Sequence, residues 1–329
     1  MNTNTYRIRL VVDLFGIVQA VGFRPAMHQL ALRYQLTGWV QNRSDRVRMS
    51  MDGPVNVIET FITDLHENIP PMARLDRITE ISRTELGPDE IRADFKIIES
   101  EVGEHAEVAI PADLAMCCDC QQEILDPKDR RYGYPFTTCT RCGPRYTVIN
   151  DMPYDRERTT LDRFPLCLEC QSEYDDLTDR RFHAESTACP VCGPECRFED
   201  ANGDDVVTGN DAIRKTRLRL AQGAIVAVRG IGGFLLAVDA RNRDAIDRLR
   251  QRKHRPDKPF AVMAVDNDTV RSICDVPNSA AELLASPRMP FVILDLKEDP
   301  QTLLPMAQLT PDATTIGAML PTSPLHQLL

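Results

Sequence analysis

The sequence predicts an α+β multidomain chain built of three modules: an alternating strand–helix module, a metal-stapled module and an α/β module. Three observations carry this. Over the first hundred positions apolar residues recur every second residue and then at helical spacing. Eight of the eleven cysteines fall into four C-x-x-C pairs between positions 117 and 192. Beyond residue 205, short strand-like runs alternate again with helical ones. A length of 329 residues fits one to three domains.

Each element of the first module follows from local pattern. Tyr6, Ile8, Leu10, Val12 and Leu14 alternate as in a half-buried strand. Pro25 is expected to open a helix carrying Met27, Leu30, Ala31 and Tyr34 on one face. Gly38–Asn42 and Val47–Met51 read as strands. Pro54 opens a second helix with Ile58, Phe61, Ile62 and Leu65 at helical spacing, and Ile78–Ile81 and Phe95–Ile98 close the module as strands. The order is β-α-β-β-α-β, the ferredoxin-like pattern, over residues 1–98. Residues 99–107 are acidic and polar and read as a linker. Residues 108–198 hold ten of the eleven cysteines and few long periodic segments. Residues 205–329 form the α/β module: strands at Ala224–Val228, Phe234–Val238, Phe260–Val265 and Phe291–Leu294, and a helix at Asp244–Arg252. The chain stops at Leu329 just after an apolar run, so this module is expected to be incomplete.

Composition excludes some classes. The hydrophobic fraction of 43% and charged fraction of 27% are those of a soluble globular protein. A net charge of −10 argues against bulk nucleic-acid or anionic-membrane binding, though not against a local basic pocket. No secretory signal pattern opens the chain, and no apolar run approaches the roughly 18 residues that span a bilayer. The expectation is a cytoplasmic protein without membrane association. In a reducing compartment paired C-x-x-C motifs point to metal rather than disulfides.

The first candidate site is the turn Gly16-Ile17-Val18-Gln19-Ala20-Val21-Gly22-Phe23-Arg24. It joins a strand to a helix N-terminus, where successive N–H groups and the helix dipole can hold an anion. Arg24 stands at the helix entrance, suited to binding phosphate oxygens bidentately. Asn42, at the end of the next strand, offers an amide that can orient a water for attack. Glycine spacing alone fits an ordinary strand-to-helix turn better, with Arg24 paired on the surface and Asn42 in a turn. The residues themselves, G-x-V-Q-x-V-G-F-R from Gly16 to Arg24 and G-W-V-x-N from Gly38 to Asn42, resemble the acylphosphatase family over about 90 positions. The resemblance implies metal-free hydrolysis of acyl phosphates. It makes Arg24 the phosphate-binding and Asn42 the water-holding catalytic residue, with Gly16, Val18, Gln19, Val21, Gly22 and Phe23 in the phosphate loop. Arg46 stands where that family usually has glycine.

The second is a pair of four-cysteine sets: Cys117, Cys120, Cys139 and Cys142, then Cys167, Cys170, Cys189 and Cys192. Each half repeats the other at an offset of 50 residues: Arg130-Arg131-Tyr132 matches Arg180-Arg181-Phe182, and Cys142-Gly143-Pro144 matches Cys192-Gly193-Pro194. Four thiolates close a tetrahedral zinc ion without leaving an open position, so two structural Zn2+ ions are expected. Free thiols or redox pairs are the alternative. The repeat suggests sequential pairing, but an interleaved one also satisfies the spacing. Cys118 and Cys196 fall out of the repeat's register, and Cys274 reads as a core residue. His183 lies between two knuckles, but its counterpart Gly133 is no ligand, which argues against ligation.

The third is the basic stretch Arg252 to Met263. In an acidic chain it can gather a polyanion, or simply offset a helix C-terminus. GAIVAVRGIGGF followed by this stretch and a strand resembles the YrdC/Sua5 nucleotide-binding family, which implies phosphate contacts from Lys253 and Arg255, with Lys258 nearby. The three modules in this order, with the run Gly317 to His326, resemble the HypF family of hydrogenase-maturation carbamoyltransferases. That resemblance implies carbamoyl phosphate as substrate and ATP as co-substrate, with a carbamoyl adenylate formed at the YrdC-like module. It further implies transfer of the carbamoyl group to a HypE-type partner in [NiFe]-hydrogenase maturation. The transfer step belongs in that family to a further C-terminal domain, so hydrolysis without complete transfer is expected here. A rival reading is a zinc-scaffolded RNA- or nucleotide-binding module with a silent acylphosphatase fold. The net charge and the lack of aromatic residues among the basic ones weigh against it.

Overall fold

A computed structural model describes residues 6–102, 109–298 and 304–329. The chain divides into two compact units. One comprises Met1–Ala112 with Cys139–Thr187, the other Asp113–Thr138 with Ala188–Leu329. No helix among the described residues is long and apolar enough to cross a membrane.

The first unit is built on β1 (Arg7–Ile17), α1 (Phe23–Arg33), β2 (Thr37–Arg43), β3 (Arg46–Pro54), α2 (Val55–Leu65), β4 (Arg74–Glu85) and β5 (Phe95–Ile97). The sheet order is β4-β1-β3-β2-β5; β2 pairs in parallel with β5, and β1 lies antiparallel between β3 and β4. This is the ferredoxin-like arrangement with a short fifth strand at the edge. The alternation of β1 buries Ile8, Leu10, Val12 and Leu14 against Met27, Leu30 and Ala31 of α1 and Ile58, Phe61 and Leu65 of α2. Each such side chain contributes about 1.5–3 kcal/mol.

Several expected boundaries shift, among them strand Val226–Gly230 against Ala224–Val228 and Val262–Met263 against Phe260–Val265. The shift that bears on the site is the start of α1. Helix α1 starts at Phe23 rather than Pro25, with Gly22 as N-cap at φ 73°. Pro25 therefore sits in the first turn, where a missing N–H costs nothing because those donors have no intrahelical acceptor. The shift brings Arg24 into the helix's first turn. Gly16 and Gly38, the leading glycines of the two sequence blocks, are both required: at φ +134° and +141° a Cβ would collide with the main-chain carbonyls of Arg74 and Ser50 across the sheet. The stretch after β5 continues along β2, Ile98 N–H donating to Val40 (3.1 Å) and Glu101 N–H to Asn42 (2.9 Å). The rest of the expected linker, from 103, lies outside the described residues.

In the second unit the α/β part carries a three-stranded sheet in the order Val262–Met263, Thr315–Met319, Val292–Asp295. A hairpin of Val226–Gly230 and Gly233–Ala237 and helices that include Gly209–Ala221 and Arg243–Lys253 belong to the same part. Ile246, Val270, Leu284, Leu309, Ile316 and Ala318 centre its core, and Cys274 is buried among them as expected. Burial pushes the Cys274 thiol up to about 11, which suits an inert core residue.

Candidate active site

The loop between β1 and α1 is anchored from beneath and open in its main chain. Val18, Val21 and Phe23 are buried and belong to the apolar core. Ala20 is left-handed at φ 60°. Among the described residues, the amides of Ala20, Val21, Gly22 and Phe23 donate to no other residue. Four successive N–H groups without an acceptor are donors that an anion can satisfy.

Gln19 plays a different part from its neighbours. Its Nε2 donates to the carbonyls of Arg43 (2.5 Å) and Arg46 (3.1 Å), and its Oε1 accepts from Tyr154 N–H (3.1 Å). It staples the β2–β3 turn to the loop. Arg46 itself pairs with Asp13 at 3.0 Å and with Asp45, so the side chain that replaces glycine is absorbed by two carboxylates outside the cradle.

Arg24 and Asn42 are both buried, at 7% and 1% exposure. They converge on one atom: the carbonyl oxygen of Tyr154 accepts from Arg24 Nη2 (3.1 Å) and from Asn42 Nδ2 (3.3 Å). Arg24 is also paired with Glu185 (3.0 Å) and Asp155 (3.1 Å) and donates to Ser100 Oγ (3.4 Å). Glu185, 2% exposed, accepts in addition from Tyr174 Oη (2.8 Å) and Arg156 N–H (3.1 Å). Burial pushes the Glu185 carboxyl up, and the Arg24 guanidinium and the Tyr174 hydroxyl pull it back.

A pocket lined by Gln19, Gly22, Arg24, Asn42, Tyr154 and His183 marks the cradle. A second one runs from Ala20 and Gly22 to Thr140, Arg145, Glu185 and Ser186. His183 adopts φ 51°, where its repeat counterpart Gly133 has φ 67°. It is thus no thiolate substitute; it lines the cradle, its Nδ1 3.2 Å from Tyr174 Oη. Burial, with Arg24 nearby, depresses its pKa to about 4, which keeps the ring neutral.

The cysteines come together in sequential sets. The sulfurs of Cys117, Cys120, Cys139 and Cys142 lie within 4.8 Å of one another, as do those of Cys167, Cys170, Cys189 and Cys192. A tetrahedral zinc ion with Zn–S near 2.3 Å places its sulfurs about 3.8 Å apart. Cys139 to Cys142 and Cys189 to Cys192 both measure 3.7 Å. Arg141 N–H and Val191 N–H donate to Cys139 Sγ and Cys189 Sγ at 3.4 Å each, as knuckle amides do for thiolates. Both sets fit structural zinc. Cys118 and Cys196 belong to neither.

The basic loop is shaped by an arginine the motif does not include. Arg250, 8% exposed, donates to the carbonyls of Arg255, Pro256, Lys258, Gln308 and Leu309. Arg255 turns back on the loop, donating to Lys258 (3.2 Å) and Pro259 (2.6 Å) and stacking over Phe260. Lys253 and Lys258 are exposed.

Comparison with known proteins gives matches to three family models. The acylphosphatase family model matches residues 10–97 and the HypF finger model residues 116–149 and 166–199. The Sua5/YciO/YrdC model, described as telomere recombination, matches residues 219–329. Carbamoyltransferase HypF2 of Cupriavidus necator is 44% identical over the whole chain, which covers 40% of that relative. The acylphosphatase of Bacillus subtilis is 37% identical over 28% of the chain and 96% of its own length. A crystal structure of full-length HypF in the phosphate- and nucleotide-bound form superposes with a TM-score of 0.87 at 40% identity, covering 100% of this chain and 42% of that one. The chain thus spans about 40% of the length of the curated HypF relatives it matches.

Proposed function

We propose, for a chain that belongs to the acylphosphatase family through residues 10–97 and is similar to HypF carbamoyltransferases throughout its length, that it hydrolyses an acyl phosphate at the Gly16–Arg24 cradle. The observation that carries this reading is the convergence of Arg24 and Asn42 on one oxygen, beside four amides with no acceptor among the described residues. The Tyr154 carbonyl stands where a phosphoryl or water oxygen would be held.

The chemistry follows from those donors. Phosphoryl transfer needs little covalent help, and catalysis is mostly positioning and charge stabilisation. The loop amides and Arg24 hold the phosphoryl oxygens, and Asn42 orients a water. Its oxygen forms the new P–O bond as the bond to the acyl oxygen breaks, releasing phosphate and a carboxylate. A carboxylate leaves without a general acid, and the cradle lacks one: His183 is neutral and Glu185 is committed to Arg24. A substrate phosphate replaces the Tyr154 carbonyl, Glu185 and Asp155 as acceptors of Arg24. The two cysteine sets hold structural Zn2+ and take no part in the step.

The finer assignment rests on the likeness to HypF proteins. Carbamoyl phosphate is the substrate, and the carbamate formed is activated with ATP at the YrdC-like module. There Lys253, Arg255 and Lys258 meet nucleotide phosphates, and Arg255 must swing away from Pro259 to do so. Delivery of the carbamoyl group to a HypE-type partner in hydrogenase maturation belongs to the longer architecture of the relatives. The test is phosphate release from carbamoyl phosphate by the zinc-loaded chain beside Arg24→Ala and Asn42→Ala. Turnover lost by about a hundredfold or more in each variant supports the reading. A folded parent without turnover refutes it.

A further inference from the structure

Arg145 is 2% exposed, and its guanidinium places all five N–H donors on main-chain carbonyls. Nη1 donates to Cys142 (3.1 Å) and Pro144 (2.8 Å), and Nη2 to Cys139 (3.4 Å) and Thr140 (2.8 Å). The fifth donor, Nε, goes to the carbonyl of Ala20, in the middle of the phosphate loop. Four acceptors thus belong to the second knuckle of the first cysteine set and one to the loop, 125 positions earlier in the chain.

The single bond to Ala20 has a geometric consequence. In a trans peptide the carbonyl and the next N–H point in opposite directions. Ala20 is left-handed at φ 60°, an unusual conformation for a residue with a Cβ. Drawing its carbonyl to Arg145 turns the N–H of Val21 the other way, toward the amides that find no acceptor among the described residues. The four knuckle carbonyls, in turn, are placed by the turn that carries Cys139 and Cys142, whose geometry a tetrahedral ion fixes. The second repeat has no matching arginine: the residue at the 50-residue offset is Glu195, which is exposed and offers no donor, and this repeat meets the cradle through Glu185 and His183 rather than through a loop carbonyl.

We infer that Arg145 is a positioning residue that couples metal occupancy of the first cysteine set to the anion affinity of the phosphate loop, while the second set is not so coupled. This rests on the reading of the loop as a phosphate site. Coupling is reciprocal: a metal that tightens phosphate binding is itself held more tightly when phosphate is bound.

The experiment follows zinc loss from the full chain to a coloured chelator, with and without saturating inorganic phosphate. It is combined with calorimetric phosphate titration of the parent, Arg145→Ala and Arg145→Lys. In the parent, phosphate slows the release of one of two zinc ions by about fivefold or more and leaves the other unchanged. In Arg145→Ala, phosphate affinity falls by about tenfold, added guanidinium restores it, and phosphate protects neither ion. Lysine does not substitute, because one ammonium cannot span five carbonyls. The parent measurement stands even where a variant fails to fold. Zinc release indifferent to phosphate in the parent, or parent-like phosphate affinity in Arg145→Ala, overturns the coupling while leaving the phosphate site intact. A zinc-loaded parent that neither binds phosphate nor turns over acyl phosphate removes the underlying reading, and the coupling with it.

Discussion

The two cysteine repeats hold the same local structure with different side chains at many places, and three of those differences face the cradle. Their shared features are metal-directed. Each has a short helix after its first cysteine, Cys118–Leu125 and Leu168–Asp175, and a 3.7 Å sulfur pair in its second knuckle. Each also has a buried arginine at the matching position, Arg131 and Arg181. The repeats part at Arg145 against Glu195, at Pro135 against Glu185, and at Gly133 against His183. Arg145 holds the Ala20 carbonyl, Glu185 pairs with Arg24, and His183 lines the pocket. A duplicated module keeps what the metal requires in both copies and departs where one copy serves a neighbouring site. The departures, rather than the matches, point to the chemistry.

That comparison can be broken in several ways. The largest effect comes from removing metal: structural zinc contributes on the order of 10 kcal/mol to folding of small cysteine modules, so exhaustive chelation unfolds both repeats. The check is loss of the near-UV signal of Tyr134 and Tyr174, one in each repeat; retention of both would detach the fold from the metal. Next is Arg24→Ala, which removes the guanidinium at the centre of the cradle. Acyl-phosphate turnover falls by about a hundredfold or more, whereas Arg181→Ala lowers thermal stability without a separate effect on catalysis. A smaller effect is expected at Glu185. A carboxylate beside Arg24 competes with an incoming phosphate, so Glu185→Gln lowers KM by several-fold. Glu195→Gln, its out-of-site control, changes stability by less than about 0.5 kcal/mol. Equal effects of the two substitutions on KM would remove the special role of Glu185 beside Arg24.

The smallest effect is a pH dependence. The pKa of His183 lies near 4 in the fold, below its ordinary value of 6.5, because burial disfavours the charged ring. Between those values the unfolded chain binds more protons, so this contribution to stability is complete above about pH 6.5 and is lost as pH falls toward 4. Denaturant midpoints between pH 7.5 and 5 should fall more steeply for the parent than for His183→Gln. Parallel curves would place the ring in solvent.

Much of this was legible in the sequence because it was local or periodic. The two glycine-led blocks announced strand ends with left-handed glycines, and the C-x-x-C spacing announced the sets. Less was legible where a single polar side chain meets main-chain carbonyls far away. Tyr154 takes both Arg24 and Asn42 on its carbonyl, and no side-chain pattern marks such a backbone role. Arg145 and Arg250 each satisfy five carbonyls and look on paper like any surface arginine. Gln19 sits in a phosphate-loop motif yet acts as a staple, its amide meeting the carbonyls of Arg43 and Arg46 and the N–H of Tyr154. Glu185 and His183 were visible as breaks in the repeat, and only the 50-residue alignment brings them out.

The central claim is that the Ala20–Phe23 amides hold phosphate. It is tested most directly by titrating inorganic phosphate into the zinc-loaded, 15N-labelled chain and following those amide resonances. We predict saturable downfield shifts of the Ala20, Val21, Gly22 and Phe23 signals, abolished in Arg24→Ala. Shifts confined to Lys253–Lys258, or none at the four amides, would contradict the claim.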